Sequence, residues 1–407
     1  MDAADSAALT APHPVPHPAP LTEERRQFRR ALRDLLAERA GPHQNLVATA
    51  TPWGYDPELW ARLSVTLGPA GHGPATLGPA TLGPAELGPA ELALACEETG
   101  RVLAPSPLLA TRVLAAPLLT ALGSPAQRAA HLPRIAAGSL TCALAVPGGA
   151  LALALGLTGD NTADDWSGGG RAGGVQARPD GEGWRLYGEA AQVLDGHSAG
   201  LLLVAAHAGG FARSRTLLFL VRAEGADVPG LVRTRQPALD PTRPRATVQF
   251  RDTRAELLGA EPADVLGALA DTGRRAAVML AAEAVGAARA ALDRAVAHAR
   301  SRAGSREAAA HRLADLSVQV EAARTLTYSA VGEPGPGGPG PGLESGPLAL
   351  AHALEALRAT AEEALRPADA AAPFAGRAAS DELLFGPVRG LRARVAERTG
   401  LFREVAA

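Results

Sequence analysis

Gly196-His197-Ser198-Ala199-Gly200 is a G-x-S-x-G string, the spacing with which a nucleophile elbow exposes a serine hydroxyl between a strand and a helix. His298 and His311 follow in the chain and could serve as the base, so the implied chemistry is serine hydrolysis. An elbow needs a helix directly after the serine, however, and LLLVAAHAGG reads as a strand ending in a turn. Metal chemistry has less to start from. The 10 histidines are scattered, His13, His17, His43 and His72 lie in Pro/Gly loops, and none pairs with cysteine or carboxylate at ligand spacing. His131 and His352 read as surface or bundle side chains. Cys96 and Cys142 stand apart in unrelated contexts and are expected to be reduced, buried thiols, which points to the cytoplasm.

The elements that would position such residues fall into three stretches. Thr22 can N-cap a helix with Glu23 and Glu24 in its first turn and Phe28, Leu32, Leu35 and Leu36 on its apolar face. Further on, Leu92, Leu94 and Ala95 form another face, Gly100 can supply a left-handed C-cap, and Pro105 and Pro107 forbid continuation. Ser124 before Pro125 marks a new helix start. From Leu140 to about Gly259 the runs GWRLYG, LLLVAA, TLLFLV and ATVQF alternate with Gly, Pro and Asp turns, which predicts an antiparallel sheet. The uncharged stretch Leu140 to Leu157 is broken by Pro147, Gly148 and Gly149 and reads as two short buried strands, not a membrane span. After Pro262 three long helices follow, with Leu269, Gly273, Leu280 and Ala284 in the first, Leu316 and Val320 in the second, and Leu350, Leu354 and Leu357 in the third.

These stretches set an expected organisation: a disordered tail over 1–20, a helical domain over 21–139, a β domain over 140–260 and a helical bundle over 261–407. Two segments interrupt it. The Pro-containing repeat within 67–90 reads as an expanded loop, and the Gly/Pro-rich 332–347 as a flexible connector. A net charge of -2 leaves no electrostatic footprint for nucleic acid or anionic lipid, and no such partner is expected. Lys is absent and Ala, Gly and Pro are abundant, a bias we ascribe to codon usage.

Four motifs in order carry a family resemblance. Glu97, Glu98, Gly100 and Arg101 close one helix; Ala104 to Pro107 lead into a second; Gly123, Ser124, Gln127 and Arg128 open a third; Leu132 to Gly138 end it. This resembles the acyl-CoA dehydrogenase family, as do LDPTR at Leu239 to Arg243 and Ala255 to Gly259 at the end of the β region. The resemblance covers roughly residues 21 to 400. It implies an α+β, mostly α fold: an N-terminal helical domain, a central antiparallel β domain, and a C-terminal four-helix bundle that mediates assembly. It implies as well a flavoprotein that binds FAD and oxidises acyl-CoA or another acyl thioester at its α,β-carbons. A carboxylate would take the α-proton while the β-hydride goes to flavin. A homodimer, a homotetramer, or a hetero-oligomer with a related subunit would be the working form.

Carried over residue by residue, the resemblance makes Asp381 the base, eight residues before Arg389 and next to Glu382. The same Asp381, following Ser380, also reads as a solvated N-cap of the last helix. The motif that reaches the flavin diphosphate falls on RAGSREAAAH, which makes Arg302, Ser305 and Glu307 cofactor-binding candidates, with Glu307 where the family has Gln. The hydroxyl-bearing flavin loop falls on AVPGGA, without a hydroxyl, and the strand beside the flavin ring on Val193, Leu194 and Asp195, with Ser198 nearby. These departures support a second reading: a non-catalytic partner whose sister subunit supplies base and flavin contacts.

Overall fold

The computed structural model describes residues 21–68, 88–147, 150–162, 174–181, 183–209, 215–225, 228–301, 306–331, 345–365 and 372–400. Helix α1 (Glu23–Arg39) starts where Thr22 accepts a hydrogen bond from the Arg25 amide and buries Phe28, Leu32, Leu35 and Leu36, as the periodicity required. Helices α2 (Pro42–Ala50) and α3 (Pro57–Leu67) follow, and α4 (Pro89–Val102) packs against α1 and α3 and against the two later helices that begin at Val265 and Arg306. A π-helical segment (Leu109–Ala115) runs into α5 (Ala116–Leu122), and α6 (Pro125–Ala136) opens with a capping box between Ser124 and Gln127.

The left-handed residue that ends α4 is Leu103, with φ 51°, and not Gly100. Gly100 stays helical because of what lies beside it. A Cβ there would come 2.1 Å from the Glu283 carbonyl oxygen of α8 (Val265–Ser301), and one on Gly286 of α8 would come 1.9 Å from the Glu97 carbonyl oxygen. The two helices therefore touch backbone to backbone, and each glycine serves the crossing.

Seven strands lie between these helices: β1 (Cys142–Ala145), β2 (Val175–Asp180), β3 (Gly183–Leu194), β4 (Leu201–Ala208), β5 (Arg215–Arg222), β6 (Leu231–Gln236) and β7 (Arg245–Leu257). Pairings run β1-β4-β2-β3-β7-β5, with β5 returning to β4 and β6 on β7. The sheet is antiparallel except at β4, which pairs in parallel with β1 and β2. The second short strand expected before Leu157 is instead a helical turn, α7 (Leu151–Ala154). The patterns missed β2 and β6. The first ends in Arg178, Pro179 and Asp180, and the second alternates with Arg and Thr, so neither shows an apolar run.

The C-terminal helices are α8, α9 (Arg306–Val331), α10 (Gly346–Leu365), α11 (Ala372–Phe385) and α12 (Val388–Arg398). Gly346 and Pro347, counted with the connector in the sequence, are buried at the start of α10. Leu67 ends α3 and Pro89 begins α4, so the repeat loop is shorter at both ends than its pattern; residues 69–87, 332–344 and the tail 1–20 lie outside the described residues. Among the described residues no helix is long and apolar enough to cross a membrane.

One side chain fastens the β region where it leaves and rejoins the helices. The Gln127 amide oxygen accepts from the Ser124 and Gly259 amides, and its nitrogen donates to Glu256 and to the Leu257 carbonyl. Because α4 and α8 leave no room for a methyl group, Gly286→Ala is expected to destabilise the protein by about 1–3 kcal/mol through overpacking. Urea denaturation of the variant checks this, and an unchanged midpoint would show that the helices can separate at no cost.

Candidate functional site

The site forms where α8 and α11 meet the connection from β6 to β7. That connection is an Asx turn: the Asp240 carboxylate accepts from the Thr242 amide at 2.9 Å and from the Thr242 hydroxyl, and the turn aims Arg243 inward. The Arg243 guanidinium donates through Nε and Nη2 to Asp381 Oδ1 at 3.0 and 2.8 Å, and to both Glu283 oxygens at 3.2 and 2.7 Å. Arg377 donates to Asp240, to Glu283 at 3.0 Å and to the Thr242 hydroxyl at 2.7 Å. All five charged side chains are buried, and Arg377 is 1% exposed.

Two guanidiniums thus face three carboxylates in a place where unpaired charge is costly. The imbalance orders the protons. Against the upward push of burial, Arg377 and Thr242 hold Asp240 below the ordinary carboxylate range, and Arg243 and Arg377 do the same for Glu283. Asp381 has only one oxygen on a guanidinium; burial outweighs the pull of Arg243, and its carboxyl is pushed up to about 6.

Beside this cluster lies a cavity of ≈ 10 Å³ lined by Cys96 and Thr99 of α4, by Ser106, Leu108 and Leu109, by Leu194 and Asp195 at the end of β3, and by Arg243 and Glu283. That is space for about one water. Asp195 is buried and adopts a left-handed φ of 55°; its amide donates to the Pro244 carbonyl at 3.0 Å. Its carboxylate has no hydrogen bond or ion pair to any described residue. Burial pushes Asp195 up to about 7.

The structure places the sequence candidates as follows. Asp381 is neither a loop residue nor a helix cap: it sits inside α11, 2% exposed, and the Ser380 hydroxyl is buried without a partner. Ala375, Gly376, Ala378 and Ala379 carry the helix through, which puts Arg377 and Asp381 one turn apart on the face toward the cluster. Its cation is Arg243; Arg389, eight residues on, is exposed on α12. Glu382 accepts from the Val388 amide and so caps α12. Ser198 lies in a turn from which the chain passes into β4 and not into a helix, so the nucleophile elbow is not formed; His298 and His311 are on α8 and α9. Arg302 and Ser305 fall outside the described residues, and Glu307 is in the first turn of α9 with its side chain likewise outside.

Sequence reasoning noted Asp240 and Arg243 but missed Glu283, Arg377 and Asp195. The signal for two of them was present. Glu283 is the one charge in MLAAEAVGAA, and Arg377 the one charge in APFAGRAAS, and a lone charge on a buried helix face needs a counter-ion.

Comparison with known proteins settles the family. Residues 22–139 match the model for the acyl-CoA dehydrogenase N-terminal domain and residues 272–345 that for the C-terminal domain. Acyl-CoA dehydrogenase IpdE2 of Mycobacterium tuberculosis is 31% identical over 320 residues, 77% of each chain. The chain belongs to the acyl-CoA dehydrogenase family. Among solved structures, the ChsE4-ChsE5 complex from Mycobacterium tuberculosis superimposes with a TM-score of 0.72 at 21% identity, over 95% of this chain and 99% of that one. Butyryl-CoA dehydrogenase from Megasphaera elsdenii gives 0.74 at 18% identity, over 93% and 99%. These two likenesses bear on the fold, which is that of the acyl-CoA dehydrogenases.

FAD is the cofactor this family implies, and the described residues do not by themselves fit it. The cavity of ≈ 10 Å³ beside the charged cluster and that of ≈ 170 Å³ beside His131 and Glu224 are both smaller than the roughly 300–1,000 Å³ of ordinary cofactor sites. Of the candidate flavin contacts only the Ser198 side chain is described, in a turn, half-buried.

The charge count separates the effects of two substitutions. Arg243→Met leaves one guanidinium among three carboxylates and is expected to cost about 3–5 kcal/mol. Asp381→Asn leaves two of each and should cost about 1 kcal/mol or less. Chemical denaturation of both variants at pH 7 checks the order; equal losses would mean that the count of charges does not govern the cluster.

Proposed function

We propose that this acyl-CoA dehydrogenase family chain works as the non-catalytic partner subunit of a hetero-oligomeric enzyme that oxidises an acyl thioester. The observation that carries this reading is the fate of Asp381. A base must reach the proton it abstracts. Asp381 is instead buried in α11, bonded to Arg243, and absent from the lining of the adjacent cavity. The sister subunit would supply the base and most flavin contacts, and this chain would supply the rigid wall formed by α4, α8 and the β3 end. The ChsE4-ChsE5 neighbour is a complex of two named components, which supports a mixed assembly for this chain too.

One observation favours the other reading, in which this chain is itself catalytic. Asp381 is pushed up to about 6, near the pH at which a general base works best. The two readings separate on the purified protein. Expressed alone, the chain is expected to be colourless and inactive with an artificial electron acceptor. Co-expressed with a related acyl-CoA dehydrogenase subunit, it is expected to yield a yellow, active complex in which Asp381→Asn on this chain changes turnover less than about twofold. Loss of a base would cost roughly 100-fold or more. Stoichiometric flavin on the isolated chain, or that loss in the complex, would make the chain a dehydrogenase in its own right.

A further inference from the structure

Asp195 stands outside the charged bonds that join Arg243 and Arg377 to Asp240, Glu283 and Asp381. It is buried, its carboxylate is unpartnered among the described residues, and its backbone holds the left-handed φ of 55°, a conformation uncommon outside Gly, Asn and Asp. It lines the same small cavity as Arg243 and Glu283. A left-handed backbone at a non-glycine residue and a carboxyl set against the cavity it shares with Arg243 and Glu283 are independent features, and both fall on one residue.

The surrounding charges explain what the carboxyl must do. Arg243 of the β6–β7 connection, Glu283 of α8 and Cys96 of α4 line the cavity with it, and Arg235 of β6 and Tyr55 of the α2–α3 connection lie within electrostatic reach. His197, in its own turn, is half-buried against Gly54 and held neutral: burial and then Arg235 push it down to about 4. Arg243 is the cation on the cavity wall, and it is already shared by Asp381 and Glu283. Adding an ionised Asp195 to the cluster would set four carboxylates against two guanidiniums.

We propose that Asp195 is a proton-controlled competitor for Arg243: protonated, it leaves Arg243 on Asp381 and Glu283 and the junction closed; ionised, it draws Arg243 toward the cavity and loosens the hold of the β domain on α11. The step is a proton lost from the Asp195 carboxyl to solvent and an ion pair exchanged from Asp381 to Asp195, with no other reactant. This goes beyond the partner-subunit reading and does not depend on it, because it concerns the isolated chain.

The direction with pH follows from the raised carboxyl. A folded-state value near 7, above the ordinary value of 3.8, means that the stability contributed by the bound proton is full below about 4 and is lost as pH rises through 7. Asp195→Asn mimics the protonated form and tolerates the same backbone conformation. The wild-type chain, on its own, is expected to show at pH 6 the infrared stretch of a protonated carboxyl that Asp195→Asn lacks. Between pH 6 and 8.5 its thermal midpoint should fall by about 1–2 °C more than that of the variant. Amide exchange, corrected for its intrinsic pH dependence, should quicken in α11 of the wild type alone. If Asp195→Asn does not fold, the infrared titration of Asp381→Asn, which lacks the other raised carboxyl, still decides. Absence of a protonated carboxyl at pH 6, a band unchanged in Asp195→Asn, or identical pH slopes would each overturn the proposal.

Discussion

Arg243 is the group on which the rest of this molecule depends. It comes from the β region, and its two strongest partners are on helices: Glu283 on α8 and Asp381 on α11. Its bonds therefore tie the sheet to the bundle. Arg377 repeats the arrangement in reverse, reaching from α11 to Asp240 in the β6–β7 connection. The two guanidiniums cross-link the domains in both directions, so neither domain can rotate without breaking charged bonds in a dry place, where a stranded charge is costly.

A second network holds the other face of α4. Glu97 accepts from Arg29 of α1 and Arg324 of α9, and Glu98 accepts from Arg29 and Arg33. The adjacent glutamates that close the first motif of the sequence thus bond outward to α1 and α9, while the backbone of the same turn abuts α8 through Gly100. Side chains fix one side and the absence of a side chain fixes the other. With arginine as the cation throughout, the forked guanidinium suits bonds to two helices at once.

Much of the fold was legible in the sequence because its signals are local. Thr22, Ser124 and Pro125 mark helix starts by the hydrogen bonds and dihedrals they supply, and the apolar face of α1 repeats at helical spacing. What was not legible depends on partners distant in sequence. Gly100 reads as a helix end until the Glu283 carbonyl is seen against it, more than 180 residues away. Asp381 reads as a base or a cap by its neighbours, and its partner is Arg243, 138 residues earlier. Asp195 reads only as the end of a strand, and the cavity it shares with Arg243 and Glu283 appears once the chain is folded.

Gln127 has a consequence for how the chain is put together. Its amide uses both donors and accepts twice, which joins the start of α6 to residues 256–259, about 130 positions on. The intervening strands are thereby a closed excursion with neighbouring entry and exit, while α4 and α8, on either side of it in sequence, pack directly together. Topologically the helices form one body into which the sheet is inserted. A lengthened or rebuilt strand connection that leaves these contacts alone would then be absorbed within the excursion, because the helical body holds the insert at points that include Gln127, the Thr111 bonds to Cys142 of β1, the Arg235 bond to the Thr51 carbonyl and the charged cluster. Variation in this chain should accordingly be cheapest in the loops of the sheet and dearest at those fastenings.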